Sequence, residues 1–234
     1  MQPRALLLDA MGTLLTLDSP AARLVGALRD ELGAEVTEAQ ARAALGAEIA
    51  HYRAHMSQAR DASSLRGLRA ECAGVLREAL PPLPDIARAD GDWMVGILLS
   101  ALHFRPFPDA LRLLERSRTA GIRSIVVSNW DVSLPEVLGR AGLAPWLDGV
   151  VVSAAVGAAK PSPLIFARAL ALAGVGAGEC LHVGDSPVDD VAGASAAGIE
   201  GVLLDRAAVP LERGGETRRR DGVRVIATLD ELPL

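Results

Sequence analysis

The stretch Ala5 to Leu15, reading ALLLDAMGTLL, constrains this chain more than any other: an apolar run carries one carboxylate, Asp9, into a tight turn at Gly12-Thr13. A run this apolar, without alternation, is the pattern of a strand covered on both faces, and a turn at its C-terminal end leaves Asp9 at the rim of a sheet. That rim is where open α/β sheets bind ligands. Two residues on, where a second carboxylate would complete an acid pair, the chain carries Met11.

With 234 residues, 50% of them hydrophobic, the chain can fill one large α/β domain or a core with a smaller domain inserted into it. Its net charge of -5 gives no basic face for nucleic acid, and splitting the chain changes nothing: residues 17–103 hold 12 acidic and 9 basic side chains, the remainder 17 and 15. Lys160 is the sole lysine among 24 basic residues. Cys72 and Cys180 lie far apart with no CxxC spacing, so neither a zinc site nor a disulfide framework is indicated, and a cytoplasmic location is expected. Asp9 interrupts the first apolar run and no uncharged stretch of about 18 residues follows, so neither signal peptide nor membrane span is expected. Oligomeric state has no signature here.

Ser19-Pro20 reads as an N-cap with proline at the first helical position, followed by Leu24, Leu28 and Leu32 on one face. Thr37 and Gln40 form a capping-box pattern ahead of Leu45, Ile49, Tyr52 and Met56, and Leu65, Leu68, Cys72 and Leu76 repeat the helical period before Pro81-Pro82. Residues 17–103 therefore read as an inserted all-helical block. Beyond it the pattern alternates, with strands expected at 122–127, 149–152, 180–183, 199–204 and 223–226 and helices near 108–119, 132–141, 163–173 and 187–197. Such alternation implies a parallel, doubly wound sheet, to which the opening strand belongs, giving an α/β core of residues 1–16 and 104–234. Asp205 to Asp221 reads as an exposed polar loop.

Four polar clusters fall at strand C-terminal ends, where a parallel sheet makes them converge: Asp9 to Thr13, Ser128-Asn129, Lys160-Pro161, and Gly184-Asp185 with Asp190 five residues on. Asp9 and Asp185 offer oxygen ligands suited to a hard cation such as Mg²⁺, and Ser128 and Lys160 suit a phosphoryl group. A carboxylate nucleophile that forms an aspartyl-phosphate is an established covalent strategy. His51 and His55 share a helix face without a third ligand and read as a solvated or packed pair. His182 precedes Gly184 in a buried strand and reads as a hydrogen-bonded structural histidine, and Asp189 as a helix-start acid.

In order, DAMGTL, VVSN, KP and GDSPVDD resemble the four motifs of the haloacid dehalogenase-like superfamily, and the helical block resembles that family's small cap inserted after the first motif. The resemblance implies a Mg²⁺-dependent hydrolase of a small phosphorylated compound. Asp9 would be nucleophile and metal ligand, the Met11 carbonyl a metal ligand, and Ser128, Asn129 and Lys160 phosphoryl or substrate binders. Thr13 would orient the loop and border the substrate, Asp185 would be a metal ligand, and Asp190 would support the metal's water shell. Phosphatases of the family usually have a second aspartate where this chain has Met11, which can neither protonate a leaving group nor activate water. Two alternatives follow: a phospholigand-binding protein with weak turnover, and a 2-haloacid dehalogenase, whose first motif resembles DAYGTL but which lacks the acidic pattern at Asp185 and Asp190.

Overall fold

The computed structural model describes residues 2–208 and 218–234. The chain divides into two compact units, one built up to Thr16 and from Pro106 onward, the other from Leu17–Arg105. The strands are β1 (Ala5–Leu8), β2 (Leu15–Leu17), β3 (Phe104–Pro106), β4 (Arg123–Ser128), β5 (Gly149–Val152), β6 (Cys180–Gly184), β7 (Glu200–Leu204), β8 (Arg219–Arg220) and β9 (Val223–Ile226). Among the described residues the main sheet runs β5-β4-β1-β6-β7-β9-β8, and β2 pairs with β3 where the chain passes between the units. β1 is flanked on both sides in parallel register, Ala5 beside Arg123 of β4 and Cys180 of β6. The sheet grows outward from β1 in both directions, so the strand order reverses there and a crevice forms beyond its C-terminal end.

In the unit Leu17–Arg105, α1 (Pro20–Leu32), α2 (Glu38–His55), α3 (Ala62–Ala79), α4 (Pro84–Arg88) and α5 (Gly91–Ala101) enclose a core of Leu24, Leu28, Leu45, Leu68, Leu76 and Ile97. The expected capping box forms: Gln40 N–H donates to Thr37 Oγ1 at 3.2 Å, and Thr37 N–H donates to Gln40 Oε1 at 2.8 Å. Ser19 differs from expectation. Its φ of 48° turns the hydroxyl away from the helix, towards Asp18 Oδ1 at 3.4 Å, and the helix starts on Pro20, which has no N–H to satisfy. No described helix is long and apolar enough to cross a membrane.

The core helices are α6 (Pro108–Thr119), α7 (Leu134–Arg140), α8 (Ser153–Val156), α9 (Pro163–Ala173) and α10 (Gly193–Ala196). Ala5 and Leu7 of β1 and Ile125 and Val127 of β4 alternate onto one face, where Ile165, Phe166 and Ala169 of α9 cover them. Every residue of β1 is buried, as an unbroken apolar strand requires, and truncating one of its leucines to alanine costs about 2–5 kcal/mol. Two expectations need correction. The helix expected over 187–197 is a π-turn, Pro187–Ala192, followed by the short α10, a widening of the kind that recurs at functional sites. Within the expected loop 205–221, Arg219 and Arg220 pair antiparallel with β9, and Arg206 is half-buried; residues 209–217 lie outside the described residues.

Candidate functional site

Asp9 follows β1 directly, its backbone N–H bonded to Val183 O of β6 at 3.0 Å, and only 5% of the residue is exposed. Its Oδ1 accepts from the Ser128 hydroxyl at 3.1 Å and from Lys160 Nζ at 2.6 Å. Ser128 ends β4 and Asp185 follows β6, so three neighbouring strands deliver the expected clusters to one place. Lys160 is also buried and donates to Asp190 Oδ1 at 2.6 Å. Carboxylate oxygens of Asp9, Asp185 and Asp190 lie within 4.8 Å of one another.

Two glycines permit this closeness. A Cβ on Gly12, which holds φ +82°, would lie 2.2 Å from Asp185 Oδ2, and one on Gly184 would lie 2.0 Å from Asp190 Cγ. The strand-end glycines are thus the space into which the two carboxylates fit.

The charges do not balance locally. Burial pushes the Asp9 carboxyl above its ordinary range, the Lys160 ammonium pulls it down, and Asp190 pushes it up again. For Lys160, burial works against the charge, but Asp9 and Asp190 outweigh it and hold the ammonium above its usual value. Burial would also raise Asp190, yet hydrogen bonding from His182 and the Lys160 charge hold it well below the carboxylate range. Asp185 is pushed up to about 6 by desolvation of its carboxyl first and by Asp9 and Asp190 next, although the residue as a whole is exposed. Three carboxylates therefore face a single lysine, and an all-oxygen donor set with uncompensated negative charge fits a hard divalent cation.

Asp190 is committed elsewhere: Oδ1 takes Lys160 and His182, and Oδ2 takes the Ser186 N–H at 3.0 Å. Asp185, with Asp9 beside it, is better placed as a direct ligand, and Asp190 holds Lys160. His182 is fully buried, 2.8 Å from Asp190 through Nε2. A carboxylate only accepts, so Nε2 carries the proton, and burial keeps the ring neutral. Its Nδ1 has no partner among the described residues.

Two residues expected beside the substrate are engaged or enclosed in the structure. Asn129 accepts from Lys160 N–H at 2.7 Å through Oδ1 and donates to Lys160 O at 3.0 Å through Nδ2, so its carboxamide clamps the lysine's backbone. Thr13 is fully buried beneath the loop, its hydroxyl unpartnered among the described residues, and offers no surface to a substrate. Met11 is half-buried and bridges to Leu15. Trp130 is buried, with its backbone N–H donating to Ser153 Oγ at 3.1 Å. His51 and His55 stack with ring centroids 4.1 Å apart, His51 reaching Glu71 at 3.4 Å, the packed one of the two arrangements expected.

One residue at the rim was not expected from the sequence. Arg206 donates to the carbonyls of Gly12 at 3.0 Å and Thr13 at 2.7 Å, and its guanidinium lies 3.6 Å from the Phe107 ring centroid. Its signal was present: Asp205-Arg206 is a fifth polar cluster at a strand end, beyond β7. A cavity of about 430 Å³ opens here, lined in part by Gly12, Phe107, Asp185, Pro187 and Arg206.

The chain matches the haloacid dehalogenase-like hydrolases over residues 3–198. It is 35% identical over 129 residues to haloacid dehalogenase-like hydrolase domain-containing protein 3 of Danio rerio, covering 54% of this chain and 51% of that one. It is 38% identical over 105 residues to phosphoserine phosphatase of Thermus thermophilus, covering 44% and 42%. Over 141 residues it is 33% identical to ribulose-1,5-bisphosphate 5-phosphatase of Halopiger xanaduensis, covering 60% and 56%. The matched stretch spans about half the length of these curated relatives. Among solved structures, the magnesium-bound putative HAD-hydrolase YfnB of Bacillus subtilis superposes with a TM-score of 0.67 at 18% identity, covering 99% of this chain and 97% of that one. The 2-haloacid dehalogenase of Pseudomonas syringae gives 0.64 at 23%, covering 98% and 96%; at these identities the likeness is one of fold.

Proposed function

This chain belongs to the haloacid dehalogenase-like hydrolases, and we propose that within the family it is a Mg²⁺-dependent phosphatase of a small phosphorylated compound, working through an aspartyl-phosphate on Asp9. The observation that carries this reading is the Asp9 carboxylate itself: Ser128 and Lys160 both hold Oδ1, which leaves Oδ2 as the oxygen available to attack, and Asp185 stands beside it. A phosphatase character for relatives such as the phosphoserine phosphatase supports it.

In this reading Asp9 and Asp185 would hold the cation, which would supply positive charge to the phosphoryl oxygens when bound. Asp9 Oδ2 forms a bond to phosphorus while the bond to the leaving oxygen breaks, giving an acyl phosphate and an alkoxide, phenolate or carboxylate. Lys160 neutralises charge and Ser128 donates a hydrogen bond on the same side, and Asp190 and Asn129 keep Lys160 in place. Water then attacks the phosphorus, releasing phosphate and restoring the Asp9 carboxylate. Met11 contributes no proton to the first step and no base to the second, so aryl and acyl phosphates, whose leaving groups need little protonation, are the best substrates. Residues 17–103 form the inserted cap in this proposal.

Met11 favours a second reading, a phospholigand-binding protein with slow turnover. Assaying phosphate release from aryl, acyl and sugar phosphates with Mg²⁺, against an Asp9→Asn control, tests the choice. Release above the control supports the phosphatase, and tight phospholigand binding with no release overturns it. Chloride release from a 2-haloacid without added metal would move the chain to the dehalogenases.

A further inference from the structure

We infer that Arg206 is a positioning residue for the cation-binding end of this site, holding the Gly12-Thr13 turn against Asp185 so that Asp9 and Asp185 face a common ion. The inference rests on the reading of Asp9 and Asp185 as cation ligands.

Arg206 touches neither carboxylate. It grips the backbone between them, with Nε on Gly12 O at 3.0 Å and Nη2 on Thr13 O at 2.7 Å. The turn has no slack on its other side, since the Gly12 Cα already abuts the Asp185 carboxylate so closely that a Cβ would sit 2.2 Å from Oδ2. Any shift of Gly12 is therefore felt by Asp185.

The guanidinium is itself fixed. Nη1 and Nη2 bond to the two oxygens of Asp109 at 3.0 and 3.2 Å, and Asp109 Oδ2 also accepts from Thr228 Oγ1 at 2.8 Å and Leu229 N–H at 2.9 Å. Asp109 is buried, and the Phe107 ring covers the flat face of the guanidinium. The planar fork serves a carboxylate and two carbonyls at once, a pattern that a lysine ammonium, one point of charge on a flexible stem, cannot reproduce. The C-terminal segment at Thr228-Leu229 is thereby tied through Asp109 and Arg206 to the loop that bears Asp9.

The test is Mn²⁺ binding, counted by the electron paramagnetic resonance signal of the free ion, on wild-type protein, Arg206→Met and Arg206→Lys at a temperature where each is folded. Partners that orient metal ligands are typically worth about 10–100-fold in affinity, and a loss of that size is expected for Arg206→Met, with partial recovery in Arg206→Lys. In turnover, the Mg²⁺ concentration needed for half-maximal rate rises by the same factor while the rate at saturating Mg²⁺ stays close to wild type. Unchanged Mn²⁺ affinity in folded Arg206→Met overturns the inference, because an arginine that only braces the fold would alter thermal stability and not affinity. Should Arg206→Met fail to fold, wild-type affinity in Arg206→Lys overturns it equally. Weakened Mn²⁺ binding supports Arg206 whether or not the wild type releases phosphate, so a failed phosphatase assay is a separate result. Wild-type Mn²⁺ binding no tighter than that of Asp185→Asn overturns both.

Discussion

Both units bury carboxyl groups, and they do so under opposite conditions. At the end of the core sheet, Asp9 and Asp190 share Lys160, receive hydrogen bonds from Ser128, His182 and the Ser186 backbone, and stand beside a third acid, Asp185. In the helical unit, Glu48 is 3% exposed, and burial raises its carboxyl against the lowering effect of a hydrogen bond from the Cys72 thiol. A cluster surrounded by donors and a cation is a device for holding charge. A lone acid in an apolar interior is a cost to stability that neutralisation removes.

The largest expected effect follows from removing the shared cation. Lys160→Met leaves Asp9 and Asp190 buried without their counter-charge and should lose about 3–5 kcal/mol in urea unfolding at neutral pH. A loss below about 1 kcal/mol would mean the cluster does not depend on Lys160 as described.

Met11→Asp is expected to raise kcat/KM for alkyl phosphates by about 10²-fold or more and for aryl phosphates far less, because kcat/KM reports the first step, in which only poor leaving groups need a proton. Equal gains on both, or none, would place the missing chemistry elsewhere.

Glu48→Gln should do the opposite of Lys160→Met and stabilise the protein by about 1 kcal/mol at pH 7. A carboxyl whose value is raised on folding loses stability as pH rises from its unfolded value, about 4, through its folded one, so the gain should disappear below that lower limit. A gain that persists at lower pH would not come from charge.

Asp185 should behave likewise at smaller amplitude. Its carboxyl, pushed up to about 6, penalises the metal-free fold above that pH, and Asp185→Asn should stabilise the metal-free protein by less than about 1 kcal/mol after solvent screening. The same proton competes with the cation, so Mn²⁺ affinity in the wild type should weaken as pH falls through about 6.

The comparison also explains what the sequence disclosed. Asp9, Ser128 and Asp185 were legible because each sits at the C-terminal end of, or just beyond, an apolar strand, where a parallel sheet leaves polar side chains no other neighbourhood, whereas Lys160, separated from β5 by the short α8, stood out as the sole lysine. The role of Asn129 depends on a long-range pairing with Lys160 that no local spacing encodes, while His182 is the hydrogen-bonded structural histidine expected, with Asp190 as its partner. Arg206 was hidden inside a polar run, and its partners Gly12, Thr13 and Asp109 lie far from it in sequence. The π-turn at Pro187–Ala192 has the composition of an ordinary helix, and only the approach of Asp190 to Gly184 shows what it accomplishes. Glu48 carries no local signal, because its place on the buried side of α2 depends on how α3 packs there.

The most direct measurement is a rapid acid quench of the protein mixed with Mg²⁺ and an acyl or aryl phosphate, followed by mass spectrometry of the peptide that contains Asp9. With Met11 supplying no base for the second step, the acyl phosphate should accumulate, and the peptide should gain the mass of one phosphoryl group at Asp9, lost on treatment with hydroxylamine and absent in Asp9→Asn. Phosphate release with no phosphoryl group on Asp9, or the same labelling in Asp9→Asn, would contradict Asp9 as the nucleophile.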